Sequence, residues 1–435
     1  FGIPVPPFGP FPFERTPAPP QLAGRALRTI DYKLQQPRLL SYNFTVEQQL
    51  PFQIGVTAAF AGSRGMHLMQ NQEGNPFFAG GTQGANGTCI DVTPNQPDVD
   101  VTGPKCWLGT GVAVALREQR RNPAWDAIDM RLAEGDSWYN SLQLTVQKQM
   151  NYGLQFQSSY TWAHALDNSQ GQLGVEGGNN AGDVTNRRYD KSSANFDLRH
   201  NWSFNYIYRL PSRFSGRLGA VANGWWLSGI LTWRSGDPIN LSGNSTQRRR
   251  NAISNRPNLK VGVDLDDVTR GGSIGCTLAS PSSNFNADSG PNGAASLITI
   301  PAGTPVGTKE MFFDPCAFEI PPLGYLGNLG RNAIYGPNFS NLNFSVVKDT
   351  PLRFLGEGGS IQFRAEFFNV LNMVSWNNPS GTVFTPVTAD NSRNVFTNAN
   401  CGGCVTPRIG TSIPGRIEST ASRPREIQLA LKIIF

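Results

Sequence analysis

Cys401-Gly402-Gly403-Cys404 has the spacing of a redox-active or metal-binding CxxC. A metal site needs more ligands, yet no second CxxC exists and none of the three histidines, His67, His164 and His200, adjoins this one. The cysteines instead fall two to a loop, Cys89 with Cys106, Cys276 with Cys316 and Cys401 with Cys404. One local disulfide per loop, formed in an oxidising compartment, accounts for all six. Gly271-Gly272-Ser273-Ile274-Gly275 matches the G-x-S-x-G turn of serine hydrolases. That turn needs a strand before it and a helix after it, whereas this one lies in a Gly/Ser-rich stretch that reads as a flexible loop. Asp264, Asp266 and Asp267 offer oxygens to Ca²⁺, but the glycine and the distal Glu of an EF-hand are missing, which favours a solvated loop. With no Walker loop, H-E-x-x-H or dinucleotide fingerprint either, the residues predict a protein that is not an enzyme and uses no cofactor or metal.

The elements that carry these loops alternate with a period of two. At the C-terminus Ile427, Leu429, Leu431 and Ile433 are interleaved with Gln428, Ala430 and Lys432, the pattern of a strand with one apolar face. Leu342, Phe344 and Val346 alternate with Asn343 and Ser345, and Ile361, Phe363 and Ala365 with Gln362, Arg364 and Glu366. Strands are predicted at 39–49, 52–64, 138–149, 153–165, 196–210, 225–241, 339–349, 360–372 and 425–435, with 112–133 a further candidate pair. At roughly 10–14 residues they exceed the five or six usual in globular sheets and reach the ~9–11 that a tilted strand needs to cross a bilayer. Tight connections alternate with the long segments 65–136, 167–194, 243–338 and 373–423, which read as polar loops. Short turns on one side and long loops on the other are the pattern of an outer-membrane barrel rather than of a soluble sandwich. Trp138, Trp162, Trp202 and Trp233 fall at the long-loop ends, and Trp225 and Phe435 at the short-turn ends, as two interfacial girdles.

Composition narrows the classes in the same direction. Only 16% of residues are charged, while 47 Gly and 32 Pro disfavour a helical bundle. No apolar run approaches the ~18 residues of a membrane-spanning helix, so any span is β. The net charge of +6 is scattered except at Arg248, Arg249 and Arg250. With no nucleic-acid motif beside it, nucleic acid is not an expected partner.

Several segments together resemble TonB-dependent outer-membrane receptors, specifically Oar-like barrels. They are Gly62-Ser63-Arg64-Gly65, Tyr139-Asn140-Ser141-Leu142-Gln143, Ser159-Tyr160-Thr161-Trp162, Phe196-Asp197-Leu198-Arg199-His200 and Gly224-Trp225-Trp226-Leu227-Ser228-Gly229-Ile230. Further on come Phe313-Asp314-Pro315-Cys316-Ala317-Phe318, Gly327-Asn328-Leu329-Gly330-Arg331-Asn332 and Arg364-Ala365-Glu366-Phe367-Phe368-Asn369-Val370-Leu371-Asn372. The resemblance implies a barrel in the outer membrane of a Gram-negative-type bacterium. It also implies capture of an extracellular ligand by the long loops, and import driven through a plug domain that contacts an inner-membrane energy-transducing complex. No plug or energy-coupling box precedes Phe1, so the chain is expected to be the C-terminal part of a longer receptor.

The sequence thus predicts an all-β fold, an antiparallel transmembrane β-barrel in part, with about nine to eleven strands and long extracellular loops. Residues 1–38, rich in Pro, are assigned to an extracellular loop segment and 39–435 to the barrel. Leu342, Phe344, Val346, Phe363, Leu429 and Ile433 are expected to face lipid, and Asn343, Arg364, Glu366, Gln428 and Lys432 the lumen. An odd strand count would leave strands 39–49 and 425–435 as open edges awaiting strands from upstream. The function expected is import of a large nutrient, a glycan, peptide or metal chelate, with binding groups concentrated in loops 65–136 and 243–338. A passive porin-type channel, a non-transporting adhesin and a rim hydrolase using Ser273 are the rivals.

Overall fold

A computed structural model describes residues 27–75, 82–83, 89–90, 128–169, 182–183, 186–243, 256–280, 296–319, 326–352, 359–384 and 414–434. Where side chains alternate between apolar and polar, the chain is extended and paired. The long strands are β1 (Arg38–Leu50), β2 (Ile54–Glu73), β3 (Ile128–Asn151), β4 (Leu154–Asp167) and β5 (His200–Arg209). They continue as β6 (Trp225–Arg234), β7 (Phe339–Pro351), β8 (Ser360–Phe368) and β9 (Glu426–Ile434). All lie side by side in chain order, each antiparallel to the next. Among the described residues β1 and β9 are the two edges of this sheet, which does not close on itself. No helix among those residues is long and apolar enough to cross a membrane.

Connections alternate as the sequence implies. Pro51–Gln53 links β1 to β2, and Tyr152 with Gly153 links β3 to β4. Both of those residues have positive φ (51° and 78°), as a two-residue hairpin turn requires. Residues 210–224 join β5 to β6 through the short helix α1 (Gly216–Ala222). The opposite ends carry the long connections.

The sequence reading misplaced several boundaries. β2 and β3 remain paired far beyond the expected 52–64 and 138–149, through Glu73 opposite Asp129, with irregular register around His67. Beyond that bulge neighbouring residues such as Leu132 and Ala133 are both buried. Both faces are covered there, the two-residue period vanishes, and the segment looked like part of a loop. Residues 128–136 therefore lengthen β3, and the remainder of the candidate pair, 112–127, lies outside the described residues. Leu27–Ile30, within the stretch assigned to a loop, pairs in parallel with Ile128–Arg131. β6 stops at Arg234, ahead of Gly236 and Pro238, and β8 stops at Phe368, where Asn369 turns the chain with φ 48°.

Register sorts the side chains into two faces. Val346 stands opposite Ala365 and that residue opposite Leu429, while Ile361 stands opposite Ile433. One face therefore collects Leu342, Phe344, Val346, Phe363, Leu429 and Ile433. On the other, Ser345 pairs with Glu366 and that with Gln428, Val347 with Arg364, and Gln362 with Lys432, alongside Asn343. The apolar face continues to the other edge through Leu231, Phe204, Leu144 and Val46. Trp162, Trp202 and Trp233 share it near the long-loop ends, and Trp225 opens β6 on it at the short-turn end.

Candidate functional site

The long-loop ends carry a second folded unit. The connection from β6 to β7 was expected to be a polar loop, but the structure corrects this. Its scattered apolar residues form a core of their own around Leu241, Val268, Phe313, Phe318 and Leu329, joined by Val383 from beyond β8. Phe313 and Phe318 pack edge to face at 6.2 Å between ring centres. Short ladders frame this core: Pro238–Ile239 with Ile334–Tyr335, Asn258–Leu259 with Phe318–Glu319, and Cys276–Ser280 with Ser296–Ile300. These segments lack the strict alternation of the sheet strands because each strand is only two to five residues long.

Cys276 and Cys316 are disulfide-bonded, tying the core to one ladder. The proposed partners Cys106, Cys401 and Cys404 lie outside the described residues, as does the Cys89 side chain, so those two pairings have no structural counterpart here. Ser273 is buried; its hydroxyl donates to Asp314 Oδ1 at 2.8 Å and accepts from the Gly275 N–H at 3.0 Å. Asp314 also accepts from the N–H groups of Ile274 and Cys316. The G-x-S-x-G match is thus a carboxylate-braced turn with no histidine at the serine. Asp264 likewise caps its own turn, accepting from the Asp266 N–H at 3.0 Å, and no group of metal-binding side chains exists among the described residues.

Buried charges fasten this unit to the sheet. The Asp197 side chain, 1% exposed, accepts from the Tyr335 hydroxyl and the Ala165 N–H, both at 2.6 Å, and forms an ion pair with Arg199, whose Nε donates to the Tyr335 hydroxyl at 2.9 Å. It also meets His164 Nδ1 at 3.0 Å, while Arg199 Nη2 lies 3.3 Å from His164 Nε2. A neutral His164 protonated on Nδ1 satisfies both neighbours, donating to the carboxylate and accepting from the guanidinium. Burial, and then the hydrogen bond to Asp197, raise the Tyr335 pKa, so this hydroxyl stays a donor at neutral pH.

A second group lies alongside. Arg331 donates to the Asp167 carboxylate and to the backbone carbonyls of Asp167 and Asp190. Arg256 forms a buried ion pair with Asp190 and lies 4.2 Å from the centre of the Tyr189 ring. Asn332 Nδ2 donates to the Ser193 carbonyl at 2.7 Å. Arg187 reaches Glu134, Gln70 and Gln72 on the overshooting ends of β2 and β3. Burial pushes its guanidinium down to about 10, against the pull of Asp190, which leaves it charged at neutral pH.

The segments 196–200, 313–318, 327–332 and 364–372 singled out in the sequence therefore place Asp197, Asp314, Arg331 and Asn369 at hydrogen-bonded junctions of this rim. Asn369 accepts from the Met373 N–H and donates to the carbonyls of Met373 and Arg423. Sequence reasoning named the stretches without their role. Asp167, Asp190, Arg187 and Arg256 escaped it altogether, since each stands alone in the sequence and finds its partner only in the fold.

A sheet with one apolar and one polar face, long loops on one side and tight turns on the other has a match among known families. Residues 2–428 match the outer membrane beta barrel domain family. The chain belongs to that family. This outer-membrane barrel also superposes on the outer membrane transporter YddB from Escherichia coli, over 94% of this chain and 34% of that one, with 8% identity and a TM-score of 0.37. The chain spans about a third of that structure's length. No curated protein matches the sequence. On the polar face of the barrel sheet, Arg364 bonds Gln362 at 3.1 Å and Glu366 at 3.5 Å, and Asp349 accepts from Gln362 and from the Trp226 indole at 2.8 Å. These polar side chains bond one another along β8 and across to β7 and β6, a face suited to water rather than to hydrocarbon.

Proposed function

We propose that the chain is the barrel part of an Oar-like, TonB-dependent receptor that captures a large nutrient at its extracellular rim and imports it. The nutrient class is a glycan, a peptide or a metal chelate. On this reading Leu342, Phe344, Val346, Phe363, Leu429 and Ile433 meet lipid, and Asn343, Arg364, Glu366, Gln428 and Lys432 line the lumen. The observation that carries the proposal is the rim itself: a connection with its own core, a disulfide and buried ion pairs to the β4–β5 connection. Loops already ordered in this way lose little conformational freedom when they bind, which favours capture of a large ligand from dilute solution. Energy would come from an inner-membrane complex acting through a plug domain outside this chain.

The test uses cells carrying the intact gene or its deletion. They are offered a fluorescent maltodextrin, a fluorescent oligopeptide mixture and a ferric chelate, with and without a protonophore. The expected result is gene-dependent uptake of one probe that stops when the protonophore is added. Uptake that continues without the proton gradient identifies a passive pore, and surface binding without uptake an adhesin; either result overturns the proposal.

A further inference from the structure

Among the tight connections, the one between β5 and β6 is out of proportion. Three residues join β1 to β2, whereas residues 210–224 include the seven-residue helix α1. The helix is held in place. Lys348 Nζ donates to the carbonyls of Ala220 at 2.9 Å and Asn223 at 2.6 Å, placing a cation at its C-terminal end. The Trp225 indole donates to the Val221 carbonyl at 2.8 Å, and Asn223 Nδ2 donates to the Phe214 carbonyl at 2.8 Å.

This fixed segment turns its largest apolar side chains outward. Leu218 and Val221, three residues apart on one stripe of α1, are 73% and 70% exposed, and Phe214 just ahead of the helix is 58% exposed. The helix ends three residues before Trp225, where the apolar sheet face begins. Its charge is one-sided: Arg213 and Arg217 occur in this segment, and no Asp or Glu occurs between Asp197 and Asp237. Apolar residues on one stripe with arginines nearby are the makings of a helix that lies in a bilayer interface.

We propose that α1 and its flanking turn form an interfacial anchor in the inner leaflet of the outer membrane. Phe214, Leu218 and Val221 sink to the level of the first acyl carbons, and Arg213 meets the phosphates of anionic phospholipids. The anchor rests on the apolar sheet face meeting the bilayer.

The experiment reconstitutes the full chain in phosphatidylcholine vesicles, with and without phosphatidylglycerol. The fluorophore NBD is attached to Leu218→Cys, to Phe363→Cys on the apolar sheet face, or to Val261→Cys on an exposed long-loop turn. The unsubstituted chain corrects for background labelling, and a doxyl-labelled phosphatidylcholine serves as quencher. The expected result is quenching and blue-shifted emission at Leu218 and Phe363 but not at Val261. Phosphatidylglycerol should deepen the effect at Leu218, and Arg213→Gln should abolish that gain. Quenching at Phe363 with none at Leu218 overturns the anchor alone, and absence at both sites overturns the membrane reading with it. Self-quenching at Leu218 that ignores lipid composition assigns the stripe to a second copy of the chain, and a phosphatidylglycerol gain that survives loss of Arg213 removes its role.

Discussion

The Tyr42 ring lies across the bare backbone of Gly62 on the adjoining strand, and its hydroxyl donates to Asn140 Oδ1 on the strand beyond, at 2.8 Å. A Cβ at Gly62 would sit 2.2 Å from that ring. Tyr206 covers Gly229 on the same face in the same manner, and a Cβ there would come within 2.6 Å of the tyrosine ring. An aromatic ring laid over a strand glycine covers backbone that no side chain protects, and it pins the register of the pair.

Gly62→Val is therefore expected to destabilise the sheet by about 1–3 kcal/mol, the usual result of overpacking. Tyr42→Ala in the same chain should recover part of the loss, because the clash partner has gone. Urea unfolding in detergent, followed by tryptophan fluorescence, measures both, and a single substitution without effect would show that the ring moves aside freely.

Asp197→Ala would strand Arg199, His164 and Tyr335 without their common acceptor. Removing one partner of such a buried cluster costs about 3–5 kcal/mol. The expected loss is local: hydrogen exchange should accelerate around Ile334–Tyr335 and Ser192–Ser193, with the β6–β7 ladder unchanged. Uniform acceleration throughout the sheet would contradict that localisation.

Reduction of Cys276–Cys316 should loosen the rim and spare the strands. The bond closes a loop with a sequence separation of 40, for which chain-entropy reasoning gives about 4 kcal/mol. Cys276→Ser with Cys316→Ser is expected to expose Phe313 and Phe318 to proteolysis by chymotrypsin, while the hydrogen-exchange protection of the sheet strands persists. Cleavage unchanged from the oxidised protein would mean that the core holds without the bond.

Alkaline pH tests Tyr335. Its pKa is raised above the ordinary 10.0 by burial first and by Asp197 next. A folded value above the unfolded one gives stabilisation that is fully present below pH about 10 and lost as pH rises through the folded value. Difference absorbance of tyrosinate between the wild type and Tyr335→Phe should show this residue ionising after the bulk of the tyrosines. Ionisation together with them would deny the hydrogen bond to the carboxylate.

The sheet strands were legible because two solvents, one on each face, force a side chain to change character at every step. β4, β7 and β9 needed only small adjustments at their ends for this reason. The signal failed where that contrast ends, as at Leu132 and Ala133 in the overshoot of β3, and where a core is assembled from remote pieces, as with Leu241, Phe313 and Val383. The rim ion pairs were illegible on stronger grounds. Asp167 and Arg331 are 164 residues apart, and Asp190 and Arg256 are 66 apart, so no local pattern records that they meet.

Arg331 lies just ahead of β7, yet it grips Asp167 at the end of β4, and β5 and β6 stand between those two strands in the sheet. Such a link works as a chord drawn across an arc. Four neighbouring staves can splay or flatten only by lengthening it together with the links beside it, Tyr335 to Asp197 and Asn332 to Ser193, so these contacts set the bow of the sheet at this end in the way a hoop sets the girth of a cask.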